Sequence, residues 1–221
     1  MKTPVNGKTL REHWNYAWWK YTLLVVLAVL GWNLIYTVTA YRPPESKKVS
    51  IYSFVFGEQT VMEEYLSQVW PEELSDMEDV SCVYTVADET YGPMQLTTYL
   101  AAGEGDIFLL DKEYFQNFGK QGGFLELDAQ EEIFAQCEAL GLTLSRGYLI
   151  NSDTREKHLY GIPCSELPGM ARFVYDPSNC YLCVAVNNGN DENVLKMLGI
   201  LIRDTVQPVE PDPAQEEATQ P

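Results

Sequence analysis

Histidine is almost missing from this 221-residue chain, which has only His13 and His158. That leaves little for the chemistry that most often runs on imidazole, whether general acid–base catalysis or zinc ligation. The motifs that mark other active sites are missing too: there is no G-x-S-x-G, H-E-x-x-H, P-loop or G-x-G-x-x-G. Gly103-Glu104-Gly105 is a bare G-x-G that precedes an apolar run, where a dinucleotide loop would follow one, so it reads as a turn. Paired carboxylates are so plentiful that no pair stands out. No catalytic residue, metal ligand set or cofactor site is expected, and the chain does not read as an enzyme. Basic residues are also scarce, with 15 Lys and Arg against 32 Asp and Glu. Beyond residue 48 the imbalance grows to 8 bases against 30 acids, a net of −22. A field of that sign repels nucleic acid and anionic headgroups, so no nucleic-acid partner is expected.

Cysteine is sparse and odd in number: Cys82, Cys137, Cys164, Cys180 and Cys183. At least one thiol therefore cannot pair within the chain. Cys180-Tyr181-Leu182-Cys183 is formally C-x-x-C, but it lies in a run that reads as a buried strand, whereas a thioredoxin-type motif opens a helix. Buried free thiols, or one bridge among Cys164, Cys180 and Cys183, are expected.

Against these absences stands one long apolar run, YTLLVVLAVLGWNLIYTVTA, residues 21–40, with no Asp, Glu, Lys, Arg or His. As a helix, twenty residues rise about 30 Å, the thickness of a bilayer's hydrocarbon core. Trp14, Tyr16, Trp18, Trp19 and Tyr21 crowd one end, and Trp32, Tyr36 and Tyr41 lie toward the other, the pattern of two interfacial belts. Lys2, Lys8, Arg11 and Lys20 precede the run. This basic leader and the large acidic remainder orient the N-terminus to the cytoplasm. Val38-Thr39-Ala40 resembles a small-residue cleavage site, so a signal peptide removed after Ala40 is the rival reading. The long aromatic leader and the length of the run favour an uncleaved anchor. The expected layout is a cytoplasmic N-terminus over residues 1–20, a transmembrane helix over 21–41, a linker over 42–48, an extracytoplasmic domain over 49–206 and a disordered, acidic, proline-rich tail over 207–221.

Within the domain, VSIYSFVFG (49–57), VSCVYTVAD (80–88) and DIFLLD (106–111) read as buried strands. Between and after them, the stripe Val61, Met62, Tyr65, Leu66 and Val69, the segment Met94 to Ala102, and KEYFQNFGKQGG read as helices, the first stopped by Pro71. The order β-α-β-α-β-α is that of parallel strands with helical crossovers. Further helices are expected at 131–140 and at Asp191 to Val206. Strand pieces are expected around a polar turn at Asn151 to Lys157, and one or two more around Asp176-Pro177-Ser178-Asn179. His158 is expected in solvent. The fold class is α/β, a three-layer domain with a mostly parallel sheet behind an N-terminal transmembrane helix.

LAAGEGDIFLLDKEYFQNFGKQGGFLELD, residues 100–128, resembles the first lobe of type 2 extracellular solute-binding proteins. There, an aspartate and apolar strand precede a helix with a glycine stop and a leucine-x-leucine-aspartate step. YGIPCS (160–165) looks like the segment leaving that lobe, and NDENVLKMLGILI (190–202) is similar to the helix that packs back on it. The family's fold is two α/β lobes around a ligand cleft. Here only about 25 residues, Glu166 to Asn190, fill the place of the second lobe, so clamshell closure is not expected. The layout is also similar to membrane-anchored, single-lobed proteins of Gram-positive gut bacteria.

In open parallel sheets ligands lie beyond the carboxyl ends of the strands. Those ends place Glu58, Asp88, Tyr91, Asp111 and Tyr114 as candidate ligand-binding residues, a set suited to a sugar or an amine, though helix caps and loop polars would look the same. Two functions follow: a surface-held binding or interaction module for a small molecule or membrane-protein partner, or a structural accessory subunit of a membrane complex with no small ligand.

Overall fold

The computed structural model describes residues 7–41, 43–85, 91–186 and 190–208. The chain forms two compact units, Met1–Arg42 and Pro43–Pro221.

The first unit is one helix, α1 (Gly7–Thr39). It is longer than the span expected at 21–41, because nothing between Lys8 and Lys20 breaks a helix: that segment has neither proline nor glycine. Among the described residues it is the one helix long and apolar enough to cross a membrane, over His13–Thr39. Its hydroxyls are satisfied within the helix, as Thr22, Thr37 and Thr39 donate to the carbonyls of Trp18, Asn33 and Ile35. Such back-bonding removes the cost of a bare hydroxyl in an apolar setting. At the basic end, the Lys20 ammonium lies 5.9 Å from the ring centres of both Tyr16 and Trp19.

The second unit starts with a 3-10 turn and strand β1 (Lys48–Ser53), followed by α2 (Gln59–Glu73), β2 (Asp79–Tyr84), α3 (Gly92–Ala102), β3 (Ile107–Asp111) and α4 (Lys112–Gly119). This is the expected β-α-β-α-β-α order. Then come α5 (Glu131–Ala139), β4 (Tyr148–Ile150), β5 (Lys157–Leu159), β6 (Ile162–Pro163), β7 (Cys180–Val184) and α6 (Asp191–Thr205). The main sheet runs β2-β1-β3-β7-β6, while β4 and β5 form a separate antiparallel hairpin.

The mostly parallel sheet needs correcting. β2, β1 and β3 are parallel, but β7 pairs with β3 antiparallel and β6 pairs with β7 antiparallel, so the sheet is mixed. Five buried residues in Cys180–Val184 announce a strand covered on both faces. They do not announce its direction, which depends on the end from which the chain re-enters the sheet. A second correction concerns Pro71, which lies inside α2 instead of ending it. Only Glu72 and Glu73 remain beyond it, so the ring removes one late hydrogen bond, and Leu74 N–H closes the end on the Trp70 carbonyl at 2.8 Å.

Alternation along the strands divides the interior in two. Ile107, Leu109, Cys180, Leu182 and Val184 face one side, against Met62 and Leu66 of α2, Ile133 of α5 and Leu198 and Leu201 of α6. Phe108, Leu110, Tyr181 and Cys183 face the other, against Leu96 of α3 and Tyr114 and Phe115 of α4. The result is a three-layer α/β/α arrangement. The second face is aromatic: Phe115 stacks on Tyr181 at 4.2 Å and 11°. At the amino end of β3, buried Asp106 ties three strands together. Its Oδ2 accepts from Ser50 N–H at 2.6 Å, its own N–H donates to the Ser50 carbonyl, and its carbonyl accepts from Ala185 N–H.

Candidate ligand-binding site

At the opposite end of the sheet, β1 and β3 finish at Ser53 and Asp111, and the chain turns outward in Phe54–Gly57 and into α4. Because β7 runs the other way, its lead-in, residues 175–179, arrives at this same end. Between these segments opens a cleft of about 940 Å³, lined by Phe54, Val55, Phe56, Pro93, Asp111, Glu113, Tyr114, Tyr175, Asp176 and Asn179. That volume falls in the range of small-molecule sites.

Each wall has a local cause. Asp111 is the N-cap of α4: its Oδ1 accepts from Tyr114 N–H at 2.8 Å, a bond worth about 1 kcal/mol. The cap starts the helix at the strand end and brings the nearly buried Tyr114 into the cleft, edge-on to Phe54 at 6.2 Å. Gly92 lets the start of α3 approach Tyr114: a Cβ there would lie 2.2 Å from the Tyr114 hydroxyl oxygen. Behind Phe54 stand Phe108 and Tyr99, so the floor is aromatic and rigidly backed.

The facing wall is held by a short antiparallel bridge between Gly57 and Val174. Glu58 N–H donates to the Phe173 carbonyl at 2.9 Å, Tyr175 N–H donates to the Phe56 carbonyl at 3.0 Å, and the Tyr84 hydroxyl donates to the same Phe173 carbonyl at 3.0 Å. The Tyr175 hydroxyl donates to Glu58 Oε1, and this hydrogen bond to the carboxylate raises the Tyr175 phenol above its ordinary pKa. Asp176 is fixed by its own turn, its Oδ1 accepting from Ser178 N–H. The rings of Phe56 and Tyr175 stand 64% and 67% exposed at the rim.

Of the residues expected from sequence, Asp111 and Tyr114 line the cleft. Glu58 stands just behind the wall through its bond to Tyr175. Tyr91 sits at the N-cap position of α3, exposed and outside the lining. Asp88 lies outside the described residues. The sequence reading missed Phe54, Phe56, Glu113, Tyr175, Asp176 and Asn179. The signal for the last three was the Asp176-Pro177-Ser178-Asn179 turn, which marks the end of a strand lead-in but not which end of the sheet it reaches. Three carboxylates, Asp111, Glu113 and Asp176, face the space, and no Lys or Arg is among the described lining residues.

His158 is not the solvated turn residue expected. It lies in β5 with its side chain 25% exposed, its Nδ1 3.2 Å from Asp128 Oδ2 and its Nε2 3.6 Å from Glu156 Oε2. Asp128 Oδ1 also accepts from Leu159 N–H at 3.1 Å, and the Tyr160 hydroxyl donates to Glu126 Oε1 at 3.2 Å. Partial burial works against the imidazolium, but the hydrogen bond to Asp128 and the charges of Glu126 and Asp128 outweigh it, so the His158 pKa is raised. This cluster joins the β4–β5 hairpin to the Leu127–Ala129 turn, and none of its residues lines the cleft.

The C-x-x-C reading also resolves. All five cysteines are buried and unbridged in this structure. Residues three apart on a strand point to opposite faces, and Cys180 and Cys183 accordingly lie in different halves of the core. Burial pushes the Cys82 thiol up to about 12 and Cys137 up to about 11, and raises Cys180 and Cys183 well above the ordinary value. A raised pKa at these four positions is the reverse of what a reactive cysteine needs.

No protein-family model matches the sequence, and no curated protein matches it significantly. Among solved structures, the chain is similar to an extracellular solute-binding protein family 1 from Alicyclobacillus acidocaldarius subsp. acidocaldarius DSM 446, with 18% identity and a TM-score of 0.37. The match covers 56% of this chain and spans 28% of that protein's length.

Proposed function

We propose that this chain is a membrane-anchored binding module, held by α1 as an uncleaved single-pass anchor with its N-terminus in the cytoplasm and its α/β domain on the extracytoplasmic side. The domain takes a small polar ligand in the strand-end cleft and carries out no catalysis. The observation that supports this most is the cleft itself: an aromatic floor, three convergent carboxylates, and a location where α/β sheets bind ligands. Its charge favours an amine or a neutral polyol over an anion. Aromatic rings beside carboxylates suit both, through cation–π contact or stacking on a sugar face combined with hydrogen bonds. The exposed rim rings Phe56 and Tyr175 support a second reading, in which the same face docks a membrane-protein partner and no small ligand enters.

The test is a thermal-shift screen of the full chain in detergent against amines, sugars, amino acids and peptides. A ligand that binds only the native state raises Tm by mass action. The reading expects a shift for amines or sugars that is lost in Asp111→Asn. Asparagine preserves the α4 cap, so the unliganded Tm should change little. A folded domain that responds to none of these probes would refute the small-ligand reading in favour of docking. Carbonate extraction tests the anchor: the chain should stay with the membrane fraction, and its release would refute anchoring.

A further inference from the structure

We infer that Cys164 and Cys180 form an intramolecular disulfide in the mature protein, leaving Cys82, Cys137 and Cys183 as thiols. The inference starts from strand register. β6 pairs with β7 antiparallel through Ile162 opposite Leu182 and Pro163 opposite Tyr181. The next residue, Cys164, leaves the ladder as the first residue of a 3-10 turn, Cys164–Glu166, beside Cys180, the first residue of β7.

The side chains follow the backbone. The two Sγ atoms are 3.3 Å apart, and both residues are at most 1% exposed in the same half of the core. Joining them needs a closure of little more than 1 Å to reach the bond length of about 2.05 Å. Cys183, the other apparent partner in sequence, is on the opposite face of β7 and in the other half of the core. Cys82 and Cys137 lie on β2 and α5, away from this pair.

The balanced step is an exchange. A thiolate of one cysteine attacks an external disulfide, such as that of a thiol–disulfide oxidoreductase, to give a mixed disulfide. The second thiolate then displaces the external sulfur, so the pair loses two electrons and two protons and the external disulfide becomes a dithiol. Burial shields both sulfurs in the finished fold and holds the Cys180 thiol well above its ordinary pKa. Exchange therefore belongs to folding, before β6 and β7 close. The oxidising compartment comes from the extracytoplasmic reading above, whereas the choice of partners comes from the Sγ–Sγ contact and the faces of β7.

The experiment has two arms. In the first, protein isolated from membranes is alkylated in denaturant without reductant, and thiols are counted. Three labelled cysteines are expected, and five would overturn the proposal. Trypsin cleaves at Arg172, separating Cys164 from Cys180, and chymotrypsin cleaves after Tyr181, separating Cys180 from Cys183. A linked peptide pair joining Cys164 to Cys180 is expected, and a link through Cys183 would overturn the assignment. In the second arm, the denatured, reduced full chain is refolded into detergent with oxidised and reduced glutathione. Formation of the same bridge supports the geometry. If isolated protein has five thiols while refolded protein has the bridge, the compartment reading has failed and the geometry has not. The bridge closes a loop of about 15 residues, so reduction should lower Tm by about 6–12 °C. Cys164→Ser/Cys180→Ser should melt like reduced protein and be insensitive to reductant, while Cys183→Ser keeps the bridge.

Discussion

Gly57→Ala tests whether the cleft wall is held as described. An alanine Cβ at residue 57 would lie 1.9 Å from the Phe173 carbonyl oxygen and 2.9 Å from Tyr84 Cε1. Carbon and oxygen approach to about 3.3 Å at closest, so the carbonyl must retreat by about 1.4 Å. The neighbour is backbone and cannot rotate away. That retreat breaks two hydrogen bonds ending on the oxygen, from Glu58 N–H at 2.9 Å and from the Tyr84 hydroxyl at 3.0 Å. At about 1 kcal/mol each, with added cost for a partly buried group left unpaired, the substitution should cost about 2–4 kcal/mol. For a domain of this size that is a Tm loss of about 5–15 °C by circular dichroism. Tyr84→Phe removes one of the two bonds without forcing the backbone and should cost about 1 kcal/mol. Tyr84→Phe should therefore melt between wild type and Gly57→Ala. A Gly57→Ala protein within about 1 °C of wild type, or a Tyr84→Phe protein less stable than Gly57→Ala, would refute the reasoning.

Three further outcomes are expected. The His158 pKa is raised in the folded state, so its contribution to stability is complete below the unfolded value of about 6.5 and is lost as pH rises through the folded value. Urea titrations from pH 6 to pH 9 should show wild type losing more stability than His158→Gln, and parallel profiles would exclude the His158–Asp128 contact. Asp106→Ala strands the Ser50 N–H at the amino end of the sheet and should cost about 2–3 kcal/mol in urea unfolding, with Asp106→Asn intermediate. Phe108→Ala empties the centre of the aromatic face and should cost about 3–5 kcal/mol; a loss below about 1 kcal/mol would mean that this face is not packed as seen.

Much of the fold was legible because the signals were local. Apolar runs such as Ile107–Leu110, bracketed by aspartates, and the stripe Val194, Leu198, Leu201 and Ile202 carry their structure in their own spacing. Asp111 and Tyr114 could be placed at the cleft for the same reason, since a strand end and the first turn of its helix are adjacent in sequence. What could not be read was what the chain does at a distance. The reversal of β7 depends on the path taken by residues 112–179, and with it the arrival of Tyr175 and Asp176 opposite Asp111. The partial burial of His158 depends on Asp128, 30 residues away. The survival of α2 past Pro71 depends on how little helix remained to lose.

The pairing of β3 with β7 has a kinetic consequence. β3 is a central strand, yet one of its edges stays open until a partner about 70 residues later in the chain arrives. During synthesis the first three strands and their crossovers can emerge complete and still present an unsatisfied ladder of N–H and C=O groups. Closing so long a loop is entropically slow, and an open apolar edge is a template for mispairing. The sheet therefore closes only when nearly the whole domain is present, and the unpaired β3 edge is the vulnerable surface until then.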